Sequence, residues 1–159
     1  MHVAHVALGS NLGDREGFLR EAVRSLTDAA TGSVVVAMSQ VFETDPVGGP
    51  DGQGAFLNMA VTVHTEADAI DFLHLCQAIE AAAHRQREVH WGPRTLDVDL
   101  LHFDDLVLST EELELPHPRI GERRFVLAPL SEIAPEKCPA GWDENLPPMG
   151  IHPRGPLSL

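Results

Sequence analysis

The sequence predicts an α+β domain in which an antiparallel sheet carries helices on one face. Segments with strand and helix patterns follow one another in the order strand, helix, strand, strand, helix, strand. Turn residues separate these segments. A chain of 159 residues with 43% hydrophobic residues is enough for one domain with a real core. The order of elements is that of a ferredoxin-like βαββαβ core, which leaves the second face of the sheet open for a site.

Each element of the first half follows from a local pattern. Residues 3–8 form a short apolar run that is typical of a buried strand. Residues 14–30 repeat apolar side chains at helical spacing, which predicts a helix. Residues 33–43 are rich in valine and predict a second strand, and residues 56–63 predict a third. The glycine- and proline-rich residues 44–54 predict a loop.

The second half continues with a helix and a strand. A capping signal and an apolar stripe predict a helix over residues 65–83, followed by a loop over 84–93. The next strand turns into a short partner strand at 106–108, and residues 119–132 are predicted to be helical. Beyond them, the many prolines predict a short and largely irregular C-terminal extension.

Charge and composition limit the partners of the chain. The net charge of −13 argues against nonspecific nucleic-acid binding. No apolar run approaches the length of about 20 residues that spans a membrane, and the N-terminus lacks the pattern of a secretory signal. Cys76 and Cys138 are too few for a disulfide framework. We therefore expect a cytoplasmic protein that binds neither nucleic acid nor a membrane.

Asp97 and Asp99 are the most informative residues of the chain. They alternate with the apolar Leu96, Val98 and Leu100, and successive side chains of a strand point to opposite faces. The two carboxylates therefore project from one face, with Cα atoms about 6.6 Å apart. Such a pair suits one or two Mg²⁺ ions together with substrate phosphates. The same pattern also fits a half-buried strand whose outer face is acidic.

Positive charge is concentrated in one stretch of this acidic chain. Six arginines lie between positions 85 and 124: Arg85, Arg87, Arg94, Arg119, Arg123 and Arg124. The guanidinium fork suits phosphate, so the cluster predicts a small anionic ligand. Neutralisation of nearby acidic groups at the surface is the alternative.

Other features allow two interpretations each. Residues 9–14, between a strand and a helix, either hold an anion with backbone amides or form a simple turn with a helix cap. The amide of Asn58, in an apolar strand, either hydrogen-bonds a heterocycle or braces a loop. Trp91 and Phe125 either stack on a flat ring or contribute to packing.

Ordered motifs along most of the chain match one enzyme family. The central motif is a basic residue, a variable residue, Gly-Pro-Arg, two further residues and then Asp-apolar-Asp with two apolar residues, here His90 to Leu101. Further matching segments keep the family's order: Ala7–Asp14, Phe42–Gly48, Gln53 with Phe56–Asn58, Gln77 with Glu80, Arg85 with Arg87, Pro116–Arg119 and Arg124–Leu130. Over about residues 3–135, the chain resembles the 6-hydroxymethyl-7,8-dihydropterin pyrophosphokinase (HPPK) family of folate biosynthesis.

The resemblance implies an activity and a division of the chain. The activity is that of an ATP-dependent diphosphotransferase, which moves a pyrophosphoryl group from ATP to the hydroxymethyl oxygen of 6-hydroxymethyl-7,8-dihydropterin and releases AMP. We expect a catalytic domain over residues 1–135 and a proline-rich tail over residues 136–159 that packs on or trails the same domain. We also expect a monomer whose partners are ATP and the pterin.

The resemblance further implies roles for individual residues. Asp97 and Asp99 would bind two Mg²⁺ ions, and one of them would assist deprotonation of the hydroxyl group. The other catalytic residues would be Arg85 and Arg94. The ATP site would comprise Gln77, Glu80, Arg85, Arg87, Arg94, His117 and Arg119. The pterin would contact Thr44, Val47, Asn58, Trp91 and Phe125. Loops 44–54 and 84–92 would close over both substrates.

Two points stay open at the level of the sequence. His90 stands where an arginine is common in the family, so it either contacts phosphate or points to solvent. A noncatalytic ferredoxin-like module that senses a small ligand is the main alternative to an enzyme. An RNA-binding sheet is a second alternative, which the net charge of −13 and the absence of an aromatic RNP-type run disfavour.

Overall fold

The computed structural model of the protein describes residues 1–11, 13–45, 55–85 and 96–159, without the side chain of Arg85. The loops that the sequence predicts before the third strand and after the second long helix therefore lie mostly outside the described residues. No helix among the described residues combines the length and the apolar character needed to cross a membrane.

The described chain contains both strands and helices. The strands are β1 (His2–Ser10), β2 (Val34–Met38), β3 (Val41–Thr44), β4 (Phe56–Thr65), β5 (Asp97–Phe103), β6 (Leu108–Ser109), β7 (Glu114–Leu115) and β8 (Ile151–Gly155). The helices are α1 (Arg15–Leu26), α2 (Ala69–Arg85), α3 (Arg124–Ile133) and α4 (Trp142–Asn145). Short 3-10 turns precede and follow α3, at Ile120–Glu122 and Pro135–Lys137.

The larger sheet has six strands, in the order β5-β1-β4-β3-β8, and β2 pairs with β4 off this path. Every pairing in this sheet is antiparallel. The long strands β1 and β4 pair from His2 opposite Thr65 to Ser10 opposite Leu57. They form the buried centre, so β5 is one edge of the sheet and β8 is the other.

One face of the sheet packs on α1 and α2. Alternate residues of β1, namely Ala4, Val6 and Leu8, point into this core. The helices contribute residues at helical spacing: Leu19, Ala22, Val23 and Leu26 from α1, and Phe72, Cys76, Ile79 and Ala83 from α2. Full burial of one large apolar side chain stabilises the fold by about 1.5–3 kcal/mol. This core is therefore the main source of stability.

The second face is covered in part by α3. Leu127 and Leu130 of α3 pack with Ala7 of β1, Ala60 of β4 and Leu101 of β5. The small side chains of the two alanines let the helix lie close to the sheet. The sequence predicted this helix without placing it, and α3 leaves only the end of the second face that carries the aspartates open for a site.

A helix cap is present in the turn before α1. The carboxylate of Asp14 accepts a hydrogen bond of 3.0 Å from the backbone N–H of Gly17, as an N-cap residue does. The helix ends at Leu26 rather than near residue 30. Asp28 and Ser33 exchange two backbone hydrogen bonds of 2.9 Å, and these turn the chain into β2.

The valine-rich segment that the sequence predicts as one strand forms two, β2 and β3. Between them, the Oγ atom of Ser39 accepts a hydrogen bond of 2.9 Å from the backbone N–H of Ala60. The next residue, Gln40, bonds through its backbone N–H and its amide to the carboxylate of Glu132 on α3. These polar contacts lie between β2 and β3, where the strand is divided.

The predicted pairing of residues 106–108 with the preceding strand is wrong. Asp104 adopts a positive φ of 50°, and its carboxylate accepts a hydrogen bond of 2.7 Å from the backbone N–H of Val3. The chain turns away from the large sheet at this point. Leu108 instead pairs with Leu115 in the separate two-stranded sheet of β6 and β7.

The tail is more regular than its prolines predict. It contains α4 and then β8, which extends the large sheet by pairing with β3. Pro153 stands opposite Phe42 in this pairing. Proline lacks an N–H, and an edge strand tolerates it because only one side of the strand is paired. The edge position therefore allows a strand at β8, although its proline argues against a strand in the sequence.

Two buried histidines lie side by side on β1 and β5. The rings of His5 and His102 meet edge to face, with centroids 5.7 Å apart. Their side chains are among the buried polar groups, and neither Nδ1 atom has a hydrogen-bond partner among the described residues. Burial lowers the pKa of His102 to about 4, and it lowers the pKa of His5 as well. Both rings are therefore neutral at neutral pH.

Candidate active site

The paired aspartates lie where the alternation of the sequence places them. Asp97 pairs with Gly9 and Asp99 pairs with Ala7 on β1. The intervening Val98 is buried in the core under α1 and α2. Both carboxylates therefore project from the second face of the sheet, at its β5 edge.

A gap in the row of side chains separates Asp97 from Asn58. Gly9 stands between them, since it pairs with Asp97 on one side and with Asn58 on the other. Two strand spacings put the Cα atoms of Asp97 and Asn58 about 10 Å apart. A Cβ atom on Gly9 would lie 3.1 Å from Oδ1 of Asn58, so a side chain here would crowd the gap.

Asn58 braces β3 from within the sheet. Asn58 is 6% exposed and Thr44 is 3% exposed. The Nδ2 atom of Asn58 donates a hydrogen bond of 2.9 Å to Oγ1 of Thr44. This contact supports the bracing interpretation of the amide. The same contact fixes the orientation of both side chains at the floor of a cavity, so a ligand would meet two prepositioned polar groups.

The cavity has a volume of about 750 Å³. Its walls bring together six of the residues predicted for substrate and metal: Thr44, Asn58, Asp97, Asp99, Arg119 and Phe125. Phe56 of β4 adds apolar surface. A cavity of this size, apolar with a few convergent polar groups, is typical of a small-molecule site.

Among the described residues, three arginines line the cavity: Arg119, Arg123 and Arg124. The guanidinium of Arg123 lies over the ring of Phe125, 5.7 Å from its centroid. Arg119 also lines the cavity, and its Nε donates a long hydrogen bond of 3.5 Å to Glu122. Arginines and the two aspartates therefore line the same cavity, a combination that suits a ligand with phosphates and bound cations.

Two side chains of α2 hold the β5 edge in place. The carboxylate of Glu80 accepts a hydrogen bond of 2.7 Å from the backbone N–H of Val98, between the two aspartates. His84 donates through Nε2 to the carbonyl of Leu96, at 3.2 Å. Glu80, predicted to belong to the ATP site, thus also positions the strand that carries the carboxylates. Gln77 is exposed on the same helix.

His117 lies next to the aspartates on the outer side of β5. Its backbone N–H donates a hydrogen bond of 2.9 Å to the carbonyl of Leu101. Burial lowers the pKa of its imidazole, although the nearby charge of Asp99 acts in the opposite direction.

Burial, with the charges of Glu80 and Asp99, raises the pKa of Cys76 to about 12. That thiol stays protonated and is no nucleophile.

The structure leaves some predicted residues untested and adds others. Outside the described residues lie Val47, Arg87, His90, Trp91, Arg94 and the side chain of Arg85. The cavity wall also includes residues that were assigned to neither substrate site: Arg123, Arg124 and the tail residues 146–150. The arginine cluster was the signal for the first two. No pattern in the sequence pointed to the tail.

Paired carboxylates, arginines and an apolar recess in one cavity are typical of an enzyme that handles a phosphorylated ligand beside a flat ring. Comparison with known proteins identifies the family. The profile of the 7,8-dihydro-6-hydroxymethylpterin-pyrophosphokinase (HPPK) family matches residues 5–135. The chain belongs to this family.

Curated relatives agree with this membership. A 2-amino-4-hydroxy-6-hydroxymethyldihydropteridine pyrophosphokinase of Bacillus subtilis is 52% identical over 132 residues, which cover 83% of this chain and 78% of the relative. A protein of the same name from Methylorubrum extorquens is 47% identical over 133 residues, covering 84% of this chain and 83% of that protein.

Solved structures agree in fold. A crystal structure of HPPK-DHPS in complex with substrates has a TM-score of 0.63 at 14% identity, and covers 85% of this chain and 40% of that chain. A Plasmodium falciparum HPPK-DHPS triple mutant with STZ-DHP has a TM-score of 0.64 at 15% identity, with the same coverage. This chain therefore spans about two fifths of those longer chains.

These findings confirm three predictions made from the sequence: the family, the ferredoxin-like fold class and an ATP-dependent diphosphotransferase of folate biosynthesis. The noncatalytic ligand-sensing module loses its support. The family match ends at residue 135, so the tail that lines the cavity lies beyond it.

Proposed function

We propose that this cavity binds both substrates of the family's reaction and that Asp97 and Asp99 are its catalytic carboxylates. The reaction transfers a pyrophosphoryl group from ATP to the hydroxymethyl oxygen of 6-hydroxymethyl-7,8-dihydropterin. One observation carries the proposal: the paired carboxylates share a cavity with the buried Asn58–Thr44 pair and with the ring of Phe125. The cavity would thus have a phosphate-handling end at Asp97 and Asp99 and an adjoining ring-binding end at Thr44, Asn58 and Phe125.

The carboxylates suit Mg²⁺ that is bound together with ATP. Among the described residues, no group of three or more His, Cys, Asp or Glu side chains gathers into a metal site. Asp97 and Asp99 would therefore supply only part of a coordination shell, and phosphate oxygens and water would complete it. Mg²⁺ is commonly bound in this way, through one or two carboxylates and substrate phosphates. When bound, two such ions would neutralise the charge of the phosphates.

The pterin end is defined by shape and hydrogen bonding. Asn58 and Thr44 offer polar atoms at the floor, and Phe125 offers a ring face. A flat heterocycle that carries donors and acceptors on its edge would use both. By elimination within the cavity, the hydroxymethyl group would point toward the aspartates at the β5 edge.

Catalysis in this arrangement is mainly positioning and charge neutralisation. The hydroxymethyl oxygen attacks the β-phosphorus of ATP, the bond from that phosphorus to the oxygen retained by AMP breaks, and AMP leaves. Asp97 or Asp99 takes the proton of the hydroxyl group. Arg119 and Arg123, which line the same cavity, would stabilise the charge that develops on the phosphate oxygens.

Product analysis tests the reaction directly. The protein is mixed with ATP, Mg²⁺ and 6-hydroxymethyl-7,8-dihydropterin, and the products are followed by phosphorus NMR. We expect AMP and a pterin diphosphate in equal amounts. ADP as the stoichiometric product would contradict the assignment. The monomeric state, the cytoplasmic location and the absence of nucleic-acid and membrane partners stay predictions.

A further inference from the structure

Five consecutive residues of the tail, 146–150, form part of the cavity wall. They lie beyond the segment that the family profile matches. Leu146, Pro147, Pro148 and Met149 supply apolar side chains, and Gly150 ends the run. The tail is therefore a component of the cavity rather than an appendage.

Arg124 holds the near end of this segment. Its Nη2 donates hydrogen bonds to the carbonyls of Asp143 (2.7 Å) and Leu146 (2.9 Å), and its Nε donates to the carbonyl of Pro147 (3.3 Å). Its Nη1 pairs with the carboxylate of Asp143, and its guanidinium lies 5.5 Å from the ring centroid of Trp142. The side chain is only 13% exposed. The carbonyls at the end of α4 need donors, and arginine provides several from one rigid group.

The far end of the segment is held by β3. The backbone N–H of Asp45 donates a hydrogen bond of 2.9 Å to the carbonyl of Gly150. A Cβ atom on Gly150 would overlap the side chain of Asp45 as it stands, so glycine suits the close approach of the tail to the end of β3. Beyond it, Arg154 forms an ion pair of 3.0 Å with Glu43.

The position and stiffness of the segment indicate what it does. It is fixed at both ends, and its two adjacent prolines restrict the backbone, so the wall is preorganised. Thr44, Asp45 and Phe56 of the β3–β4 side line the same cavity, which places the segment toward the ring-binding end. Asp97 and Asp99 lie at the opposite edge of the sheet.

We propose that residues 146–150 form a wall of the pterin site and that Arg124 is the positioning residue that holds this wall in place. The inference rests on the proposed location of the pterin in this cavity. It predicts that loosening the tail weakens pterin binding and leaves nucleotide binding unchanged.

The test compares three full-length variants with the unmodified protein. Arg124→Met removes the hydrogen bonds and keeps most of the apolar stem. Asp143→Asn weakens the anchor from a residue outside the cavity wall. Arg20→Met, in an exposed ion pair on α1, is the matched control. Calorimetry gives the dissociation constants of the pterin and of a nonhydrolysable ATP analogue with Mg²⁺, and hydrogen exchange reports the amides of residues 142–155.

We expect Arg124→Met to speed exchange across the tail and to raise the pterin dissociation constant about tenfold, as loss of hydrogen bonds from a charged donor should. The ATP-analogue constant should stay within about twofold, because the nucleotide end keeps its walls. Asp143→Asn should shift pterin binding in the same direction by about two- to threefold, and Arg20→Met should change neither ligand.

Several results would overturn the inference. Unchanged exchange in Arg124→Met would mean that this residue is not the anchor. Faster exchange with normal pterin affinity would mean that the tail is no wall of the site, and equal weakening of both ligands would indicate a general structural role. Asn58→Ala separates the two proposals: if it too leaves pterin affinity unchanged, the pterin lies elsewhere and the proposed site itself fails.

Discussion

The two edges of the large sheet are built in different ways. The β5 edge carries Asp97 and Asp99, lies within the segment matched by the family profile, and is held by Glu80 and His84 of α2. The opposite edge begins at β3, and the tail strand β8 extends it beyond that segment. Both edges contribute to one cavity.

The difference separates two tasks. Transfer of a charged group needs carboxylates fixed to within a fraction of an ångström, and a strand braced by a long helix provides that rigidity. Recognition of a ring needs a surface of the right shape, which a peripheral segment can supply and which can differ between relatives without affecting the chemistry. The β5 edge should therefore govern turnover, and the β3–β8 edge should govern pterin affinity.

The largest expected effect lies at the β5 edge. Asp97→Ala and Asp99→Ala should each lower kcat by roughly 100-fold or more, because each removes a carboxylate proposed to hold Mg²⁺ and to face the reacting oxygen. Steady-state kinetics at saturating Mg²⁺ measures the loss, and circular dichroism checks the fold. Asp71→Ala, an exposed carboxylate on α2, is the control. Near-normal turnover in either variant would remove that residue from the mechanism.

The next effect belongs to the ring-binding end. Asn58→Ala and Phe125→Ala should each weaken pterin binding by roughly tenfold or more, since an unmatched polar group or a lost ring face costs about 1–3 kcal/mol. Binding of an ATP analogue should change less. Calorimetry with each ligand makes the comparison, and equal losses for both ligands would show that the two ends of the cavity are not separate.

A smaller effect tests how the β5 edge is held. Glu80→Ala should lower kcat about tenfold, because the backbone N–H of Val98 loses its acceptor and the strand between the aspartates loosens. Glu80→Gln keeps an oxygen at the same place and should retain most of the activity. The ratio of kcat values for the two variants is the measurement. If both variants lose activity equally, the charge of Glu80 matters more than its hydrogen bond.

The last prediction concerns the acid sensitivity of folding that the buried histidine pair on β1 and β5 causes. The pKa of His102 is about 4 in the folded protein, against an ordinary value of 6.5. Between these two pH values the imidazole is protonated in the unfolded chain and neutral in the folded protein. The free energy of unfolding should therefore fall by about 1 kcal/mol per pH unit from pH 6.5 toward pH 4, and stay level above pH 6.5.

Urea denaturation at pH 7, 6 and 5 measures this slope. Replacing both buried histidines, in His5→Asn/His102→Asn, should flatten it between pH 6.5 and 5, whatever the double variant does to absolute stability. His152→Asn, an exposed histidine of β8, should keep the slope of the unmodified protein. An unchanged slope in the double variant would mean that other groups set the acid sensitivity.

The sequence predicted those parts of the molecule that follow from short-range pattern. Alternation placed Asp97 and Asp99 on one face, and the stripe from Phe72 to Ala83 placed α2 on the core. The order of elements then gave the sheet. These features depend on periods of two and 3.6 residues, which any single segment displays.

Features that depend on long-range contacts were not predictable in the same way. The bond from Gln40 to Glu132, which helps to divide the valine-rich strand, joins residues far apart in the chain. The pairing of β8 with β3 hides behind Pro153, and Arg124 reaches the tail only once α3 and α4 are folded together. A cavity wall made by such contacts leaves no local signature.

The missing side chain at Gly9 leaves space in the cavity between Asp97 and Asn58. Gly9 lies in β1, an interior strand of the sheet. It also forms the floor of the cavity between Asp97 and Asn58. A methyl group there would crowd the amide oxygen of Asn58 and fill space in the cavity. A side chain at this position would therefore act on the site directly, because it would press on the Asn58 amide and occupy the space between Asn58 and Asp97.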